Sequence, residues 1–280
     1  PGGPNSFFGN VPQSYTGKEP STMRAIRANY DPYEIVFNRL EQYIILGHSP
    51  EKVEIILQGG TFPSFPKAYQ EKVVTLIFKA LNDFSKLFYK NKKLNYDKFK
   101  EFFELPTEDI HDKNRAKRIK NKIKKLKTKA ALKKEQKINE TSQIRCIGLT
   151  IETKPDWGFL KHGNEMLRLG CTRVEIGVES VYDEVLKKTH RGHDINDTIK
   201  SIQELKDLGF KELFHYMLGL PLTSKEQDLE GLKKLFKNQD FKPDMLKIYP
   251  CMVLKGTSLY SDYLKKEFTP ITTEESAEII

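Results

Sequence analysis

The sequence has little cysteine, and none of it is placed to work together. Its three thiols, Cys146, Cys171 and Cys251, stand singly and form no CxxC. That spacing excludes a disulfide ladder and leaves no complete metal site in view. They read as reduced core thiols. No run approaches the roughly 20 apolar residues of a membrane span, and no secretory leader opens the chain. These absences make the cytosol the expected compartment, with no membrane partner. An initiating methionine is lacking too. The chain opens on Pro1-Gly2-Gly3-Pro4, and the expectation is that this is the interior of a longer protein.

What is present describes a globular chain. Hydrophobic residues make up 38% and charged residues 30% of the 280, which excludes a disordered chain and allows a sizeable core. The net charge of +9 favours an anionic partner, either nucleic acid or a phosphorylated cofactor. The excess is local. Between Lys113 and Lys137 there are thirteen Lys or Arg against one acid, Glu135.

Residues 1–21 read as a Gly- and Pro-rich loop. Apolar positions at helical spacing fill 22–46, with a break at Asp31-Pro32. A strand over 52–58 ends in Gly59-Gly60-Thr61, and a helix runs over 67–89. After a basic stretch the chain alternates. Strands are predicted over 145–152, 172–178, 212–218 and 245–249, with helices at 157–169, 181–189, 194–208, 224–238 and 257–266. Such alternation builds an α/β fold on a parallel sheet. Five strands are visible, and the opening loop and helix imply a sixth before Pro1. That count fits a partial or full βα barrel, whose active site lies at the carboxyl ends of its strands.

Those ends are polar: Gly59-Gly60-Thr61, Glu152-Thr153-Lys154, Gly177-Val178-Glu179-Ser180, Gly219-Leu220-Pro221 and Tyr249-Pro250. Glycines bare the backbone to a ligand, and carboxylates hold an ammonium or ribose hydroxyls. Ordinary βα turns use the same residues. Arg173, Glu175, Gly177 and Glu179 alternate along one strand and so share a face. Two acids and an arginine there form either a ligand-binding lining or a buried ion-pair network.

Several strings make the sequence resemble the family of Elongator catalytic subunits, in its archaeal form. They are Gln13-Ser14-Tyr15-Thr16-Gly17, Met23-Arg24-Ala25-Ile26-Arg27-Ala28, Gly59-Gly60-Thr61-Phe62 and Ile151-Glu152-Thr153-Lys154-Pro155-Asp156, then Gly170 to Val178, Arg191-Gly192-His193 and Leu246-Lys247-Ile248-Tyr249-Pro250. The resemblance implies a partial TIM-like (β/α)6 radical S-adenosylmethionine (SAM) barrel over 1–280, N-terminally incomplete, with a basic insertion over 90–143. It implies an acetyltransferase domain beyond residue 280, and a 4Fe-4S cluster whose three cysteines lie just before Pro1 rather than in this chain. It also implies the activity: a radical taken from the acetyl-CoA methyl group adds to carbon 5 of the tRNA wobble uridine, and hydrolysis leaves carboxymethyluridine.

The resemblance further assigns residues. Gly59, Gly60, Thr61, Glu152 and Glu175, with Arg173, Gly177 and Ser180, are expected around SAM. Lys52 is expected at acetyl-CoA. Arg24 and Arg27, and Lys117, Arg118, Lys120, Lys124 and Lys125 of the insertion, are expected at tRNA. The insertion reads equally as a solvated charge run. Other Elongator subunits or a second copy are implied as protein partners. A tRNA-binding scaffold without radical chemistry, or a radical SAM enzyme on another substrate, are the competing functions.

Overall fold

The computed structural model describes residues 2–3, 5–107, 109 and 111–280. Chain contacts divide it into two compact units: residues 1–17, 56–65 and 149–280, and residues 18–55 and 66–148.

The second unit opens with α1 (Pro20–Arg27) and α2 (Pro32–Ile45). The break falls at Asp31-Pro32 because both residues suit a helix start. The Asp31 carboxylate accepts from the Tyr33 and Glu34 amides, and Pro32 takes the first helical position. Strand β1 (Lys52–Leu57) leads to the long helix α3 (Lys67–Phe88). A short hairpin, β2 (Tyr89–Lys90) and β3 (Lys93–Leu94), follows. Then come α4 (Tyr96–Phe103), α5 (Lys113–Leu126) and α6 (Leu132–Asn139). The stretch expected as an insertion is therefore folded onto α2 and α3. Phe37, Phe84, Phe88, Phe99 and Phe103 are wholly buried, with ring centroids 4.6 Å apart for Phe84 and Phe88 and 4.9 Å for Phe99 and Phe103. Ile119 and Ile123, the thin apolar stripe of the basic helix, are buried as well. Asn82 donates to the Glu135 carbonyl at 2.9 Å, and Asn139 donates to Asn82 Oδ1 at 2.8 Å, tying α6 to α3.

The remaining elements are β4 (Arg145–Thr153), α7 (Leu160–Leu169), β5 (Arg173–Glu179), α8 (Asp183–Lys188), α9 (Ile195–Asp207), β6 (Lys211–Leu218), α10 (Lys225–Lys237), β7 (Met245–Pro250), α11 (Ser258–Leu264) and α12 (Thr273–Ile279). The sheet order is β1-β4-β5-β6-β7, and β4 to β7 pair in parallel. Strand order follows chain order, so successive strands and helices wind one way without reversal, as in a barrel wall and unlike a doubly wound sheet. β5 is buried along nearly its whole length, as a central parallel strand must be.

One buried acid in this wall has no hydrogen bond. Glu212 on β6 is fully buried with both carboxylate oxygens unpartnered, and its nearest cation, Lys206, is 3.8 Å away. Burial pushes its carboxyl up to about 8, against the pull of Lys206 and helped by Asp244. The folded protein then holds a proton that the unfolded chain releases above about pH 4.5, so stability falls as pH rises from there through about 8. The loss across that whole window is at most about 5 kcal/mol. Thermal unfolding followed between pH 5 and 8.5 should show this slope in the wild type and a flatter one in Glu212→Gln. Equal slopes would remove Glu212 as the cause.

Candidate cofactor-binding site

β1 ends in three successive left-handed residues, Gly59 (φ 88°), Gly60 (φ 70°) and Thr61 (φ 53°). Only glycine adopts such a conformation without cost; the Gly60 carbonyl accepts from the Ser64 hydroxyl at 3.4 Å and the Thr61 carbonyl from the Ser64 amide at 2.8 Å. A Cβ on Gly59 would lie 3.1 Å from both Pro12 and Tyr15 of the opening loop. The Gly59 amide donates to Glu152 Oε2 at 3.3 Å, which ties the end of β1 to the end of β4.

Deeper between the strands, His215 Nε2 lies 3.0 Å from Glu175 Oε2, and its Nδ1 lies 3.8 Å from Glu152 Oε1. Lys247 Nζ is 3.7 Å from Glu175. Burial alone would raise the Glu175 carboxyl. The His215 hydrogen bond, with the charges of Lys247 and Arg173, outweighs that and holds it below the usual carboxylate range.

At the end of β5 the chain passes through Glu179 in a left-handed conformation, φ 62°. A non-glycine residue there stores strain, and its side chain is held from two sides. The Tyr249 hydroxyl donates to Glu179 Oε2 at 2.8 Å, and Arg191 Nη2 is 3.4 Å from Oε1. Burial and Glu179 push the Tyr249 phenol well above its ordinary value, so it stays a donor. Arg191 Nη2 also donates to the Gly177 carbonyl at 3.2 Å. Ser180 is buried, and its hydroxyl accepts from the Tyr182 amide at 3.3 Å.

Four buried polar atoms at this end have no hydrogen-bond partner: Arg191 Nε, both ring nitrogens of His193 and Asp156 Oδ1. Lys154, which pairs with Asp156 at 3.3 Å, belongs to the same group. Burial, with Arg191 and Lys154, lowers His193 to about 4, so its ring is neutral at physiological pH. Unsatisfied buried groups make this end of the sheet the candidate for a polar ligand, although the His193 ring also lies close to the Val178 backbone.

The expected residues divide accordingly. Gly59, Gly60, Thr61, Glu152, Gly177 and Ser180 stand at strand ends. Glu175 lies one layer below, hydrogen-bonded to His215 and 3.7 Å from the Lys247 ammonium. Arg173 begins β5 at the opposite end of that strand, with Nη1 3.9 Å from the Met245 sulfur. Lys52 is the first residue of β1 and is exposed. Tyr249 is one of the polar strand ends read from the sequence, whereas residue-type reasoning does not single out Arg191, His193, His215 or Lys247 as site residues. Strand alternation puts Lys247 on one face with Tyr249, and the Arg191-Gly192-His193 string is one that carries the resemblance.

In the second unit the basic residues separate into two sets. Arg118 pairs with Glu104 at 2.7 Å, Lys122 with Glu104 at 3.0 Å, Lys120 with Glu34 at 3.0 Å and Arg115 with Glu41 at 3.6 Å; Lys127 pairs with Asp31. Lys117, Lys124 and Lys125 are exposed and have no ion pair among the described residues.

The fold is a parallel (β/α) half-barrel, and its strand ends gather carboxylates, glycine backbone and an unsatisfied arginine into one candidate site. The chain belongs to the radical SAM superfamily, whose profile matches residues 13–235; the profile of the Radical_SAM C-terminal domain matches 243–280. It is 41% identical over its whole length to 44% of a tRNA uridine(34) acetyltransferase from Methanocaldococcus infernus. It is 41% identical over 93% of its length to 39% of Elongator complex protein 3 from Saccharomyces cerevisiae. The solved structure of the archaeal Methanocaldococcus infernus Elp3 with an N-terminal deletion superposes with a TM-score of 0.73 at 38% identity, over 91% of this chain and 50% of that one. The chain thus spans less than half the length of these curated relatives. Among the described residues, no helix is long and apolar enough to cross a membrane.

Proposed function

We propose that this chain is the radical SAM portion of a cytoplasmic enzyme that transfers a carboxymethyl group, derived from acetyl-CoA, to carbon 5 of the tRNA wobble uridine. The observation that carries this reading is the set of polar atoms at the ends of β1, β4 and β5, together with 41% identity to a tRNA uridine(34) acetyltransferase.

The residues present fit SAM. Its methionyl ammonium suits Glu152 and the carbonyls of the left-handed Gly59-Gly60-Thr61 run. Its carboxylate suits Arg191 Nε, with Lys154 and the neutral His193 beside it. Glu179 and Ser180 offer acceptors to ribose hydroxyls, and the His215–Glu175–Lys247 network holds Glu152 from below. When bound, SAM supplies the hydrogen-abstracting chemistry.

The described residues do not fit the 4Fe-4S cluster. No group of three or more His, Cys, Asp or Glu side chains among them is placed to hold a metal ion. Burial raises Cys146, Cys171 and Cys251 to about 11, 12 and 11, far from the thiolate a cluster needs.

Lys52, exposed at the start of β1, suits a phosphate or thioester oxygen of acetyl-CoA. Lys117, Lys124 and Lys125 form the part of α5 available to tRNA phosphates, because Arg118 and Lys120 are already paired. Other Elongator-type subunits or a second copy remain the proposed protein partners.

The test uses the full-length protein, reconstituted with its cluster, incubated with tRNA, SAM, acetyl-CoA and reductant. Carboxymethylated wobble uridine is expected. Release of 5′-deoxyadenosine with unmodified tRNA would assign a different substrate. Replacing Lys117, Lys124 and Lys125 together by Gln should weaken tRNA binding and reduce its salt dependence; unchanged binding would make α5 a solvated face.

A further inference from the structure

The register of the wall sets acid beside acid and base beside base. Glu152 on β4 pairs with Glu175 on β5, and His215 on β6 pairs with Lys247 on β7. Glu175 is well supplied, with His215 Nε2 at 3.0 Å and the Lys247 ammonium at 3.7 Å. Glu152 is not. No lysine or arginine among the described residues pairs with it. Its Oε2 accepts from the Gly59 amide at 3.3 Å, and its Oε1 faces His215 Nδ1 at 3.8 Å. That nitrogen makes no hydrogen bond among the described residues, although the residue is buried. The ring cannot swing away. Tyr249 packs edge-on against it, with centroids 5.9 Å apart and 78° between planes.

The bond to Glu175 decides the tautomer. An ionised carboxylate only accepts, so Nε2 carries the proton and the neutral ring keeps a lone pair on Nδ1. A lone pair and a carboxylate oxygen that face each other repel, unless a donor lies between them. Two acceptors at 3.8 Å can share one N–H-bearing nitrogen. Other acceptors at the end of β1 are partly used, because Ser64 already donates to the Gly60 and Thr61 carbonyls. We propose that His215 Nδ1 is a direct acceptor for the methionyl nitrogen of SAM, sharing it with Glu152 Oε1. This deepens the SAM reading of the strand ends and rests on it. Lys247 and Glu175 act through the ring: Lys247 balances the charge of Glu175, and Glu175 keeps the ring proton on the side away from the ligand. A ligand bearing an amino group completes the pair. One that offers no donor there leaves two acceptors opposed, so the site selects for the amine itself.

Calorimetric titration of the full-length, cluster-reconstituted protein with SAM and with its deaminated analogue tests the contact. Two substitutions separate the ring nitrogens. The Gln amide reaches the place of Nε2, so His215→Gln keeps a donor to Glu175 and loses the Nδ1 acceptor. The Asn amide reaches the place of Nδ1, so His215→Asn keeps an acceptor beside Glu152 and loses the Glu175 bond. His215→Gln is expected to weaken SAM by about tenfold or more and to leave the analogue within about twofold. His215→Asn should keep most of the wild-type preference for SAM over the analogue. The thermal upshift given by SAM should fall in the order wild type, Asn variant, Gln variant. Unchanged or tighter SAM binding in His215→Gln overturns the contact, the tighter case marking an imidazolium that donates to Glu152. Equal losses of SAM and analogue make His215 a structural support and overturn it too. In these cases wild-type SAM binding stands, and the SAM reading with it; a wild type that binds no SAM overturns both.

Discussion

Replacing Arg191 by Met is expected to weaken SAM binding by about 100-fold. Arg191 Nη2 is committed to Glu179 and to the Gly177 carbonyl, while its Nε is buried and unsatisfied. A ligand carboxylate would complete it. Truncating one partner of a desolvated, charge-assisted pair costs about 2–5 kcal/mol, and 2.7 kcal/mol already corresponds to roughly 100-fold. Calorimetric titration of the full-length, cluster-reconstituted protein checks the affinity. A decarboxylated SAM analogue separates ligand contact from structural support. The wild type should prefer SAM strongly over the analogue, and Arg191→Met should bind both alike. An affinity within threefold of wild type, or a preserved preference, would remove Arg191 from the carboxylate site.

The second large effect concerns stability. Phe84→Ala empties the centre of the aromatic cluster, where Phe84 meets Phe88 at 4.6 Å and Phe37 at 5.3 Å between centroids, all wholly buried. Removing a buried Phe costs about 3–5 kcal/mol, a large share of a domain's net stability. Hydrogen exchange should show protection lost through α3, α4 and α5, which share this core. Because β4 to β7 have their own buried residues, protection there should fall less. Uniform loss across both sets would mean the chain unfolds as one cooperative unit.

The strands and helices from residue 145 onward were legible because each is a short apolar run or an amphipathic stretch closed by a local signal. Asp31-Pro32 and Gly170 act through their own backbone preferences, so sequence neighbours suffice to read them. The hairpin at 89–94 and helix α4 were not legible. They are too short for periodicity to rise above the surrounding lysines, and they are fixed by packing on Phe88 and Phe99. The site was legible in part for the same reason. Alternation places Arg173, Glu175, Gly177 and Glu179 on one face, but it does not say that seven residues span the full height of the wall. Arg173 and Glu179 therefore stand at opposite ends. Nor does local sequence show which lysines of α5 are already paired, since Glu34, Glu41 and Glu104 come from other elements. His215 is a single histidine in an apolar strand, and only the pairing of β5 with β6 brings it to Glu175.

The glycine at 177 carries a wider consequence. A Cβ there would lie 2.9 Å from Arg191 Nη2 and 3.2 Å from Glu179 Oε1. One added methyl, uncharged and on a different strand position, would displace both charged groups while leaving their identities intact. The binding chemistry of this wall is thus written partly in atoms that are missing. A relative that keeps Arg191 and Glu179 but fills position 177 would retain the vocabulary of the site and lose its grammar.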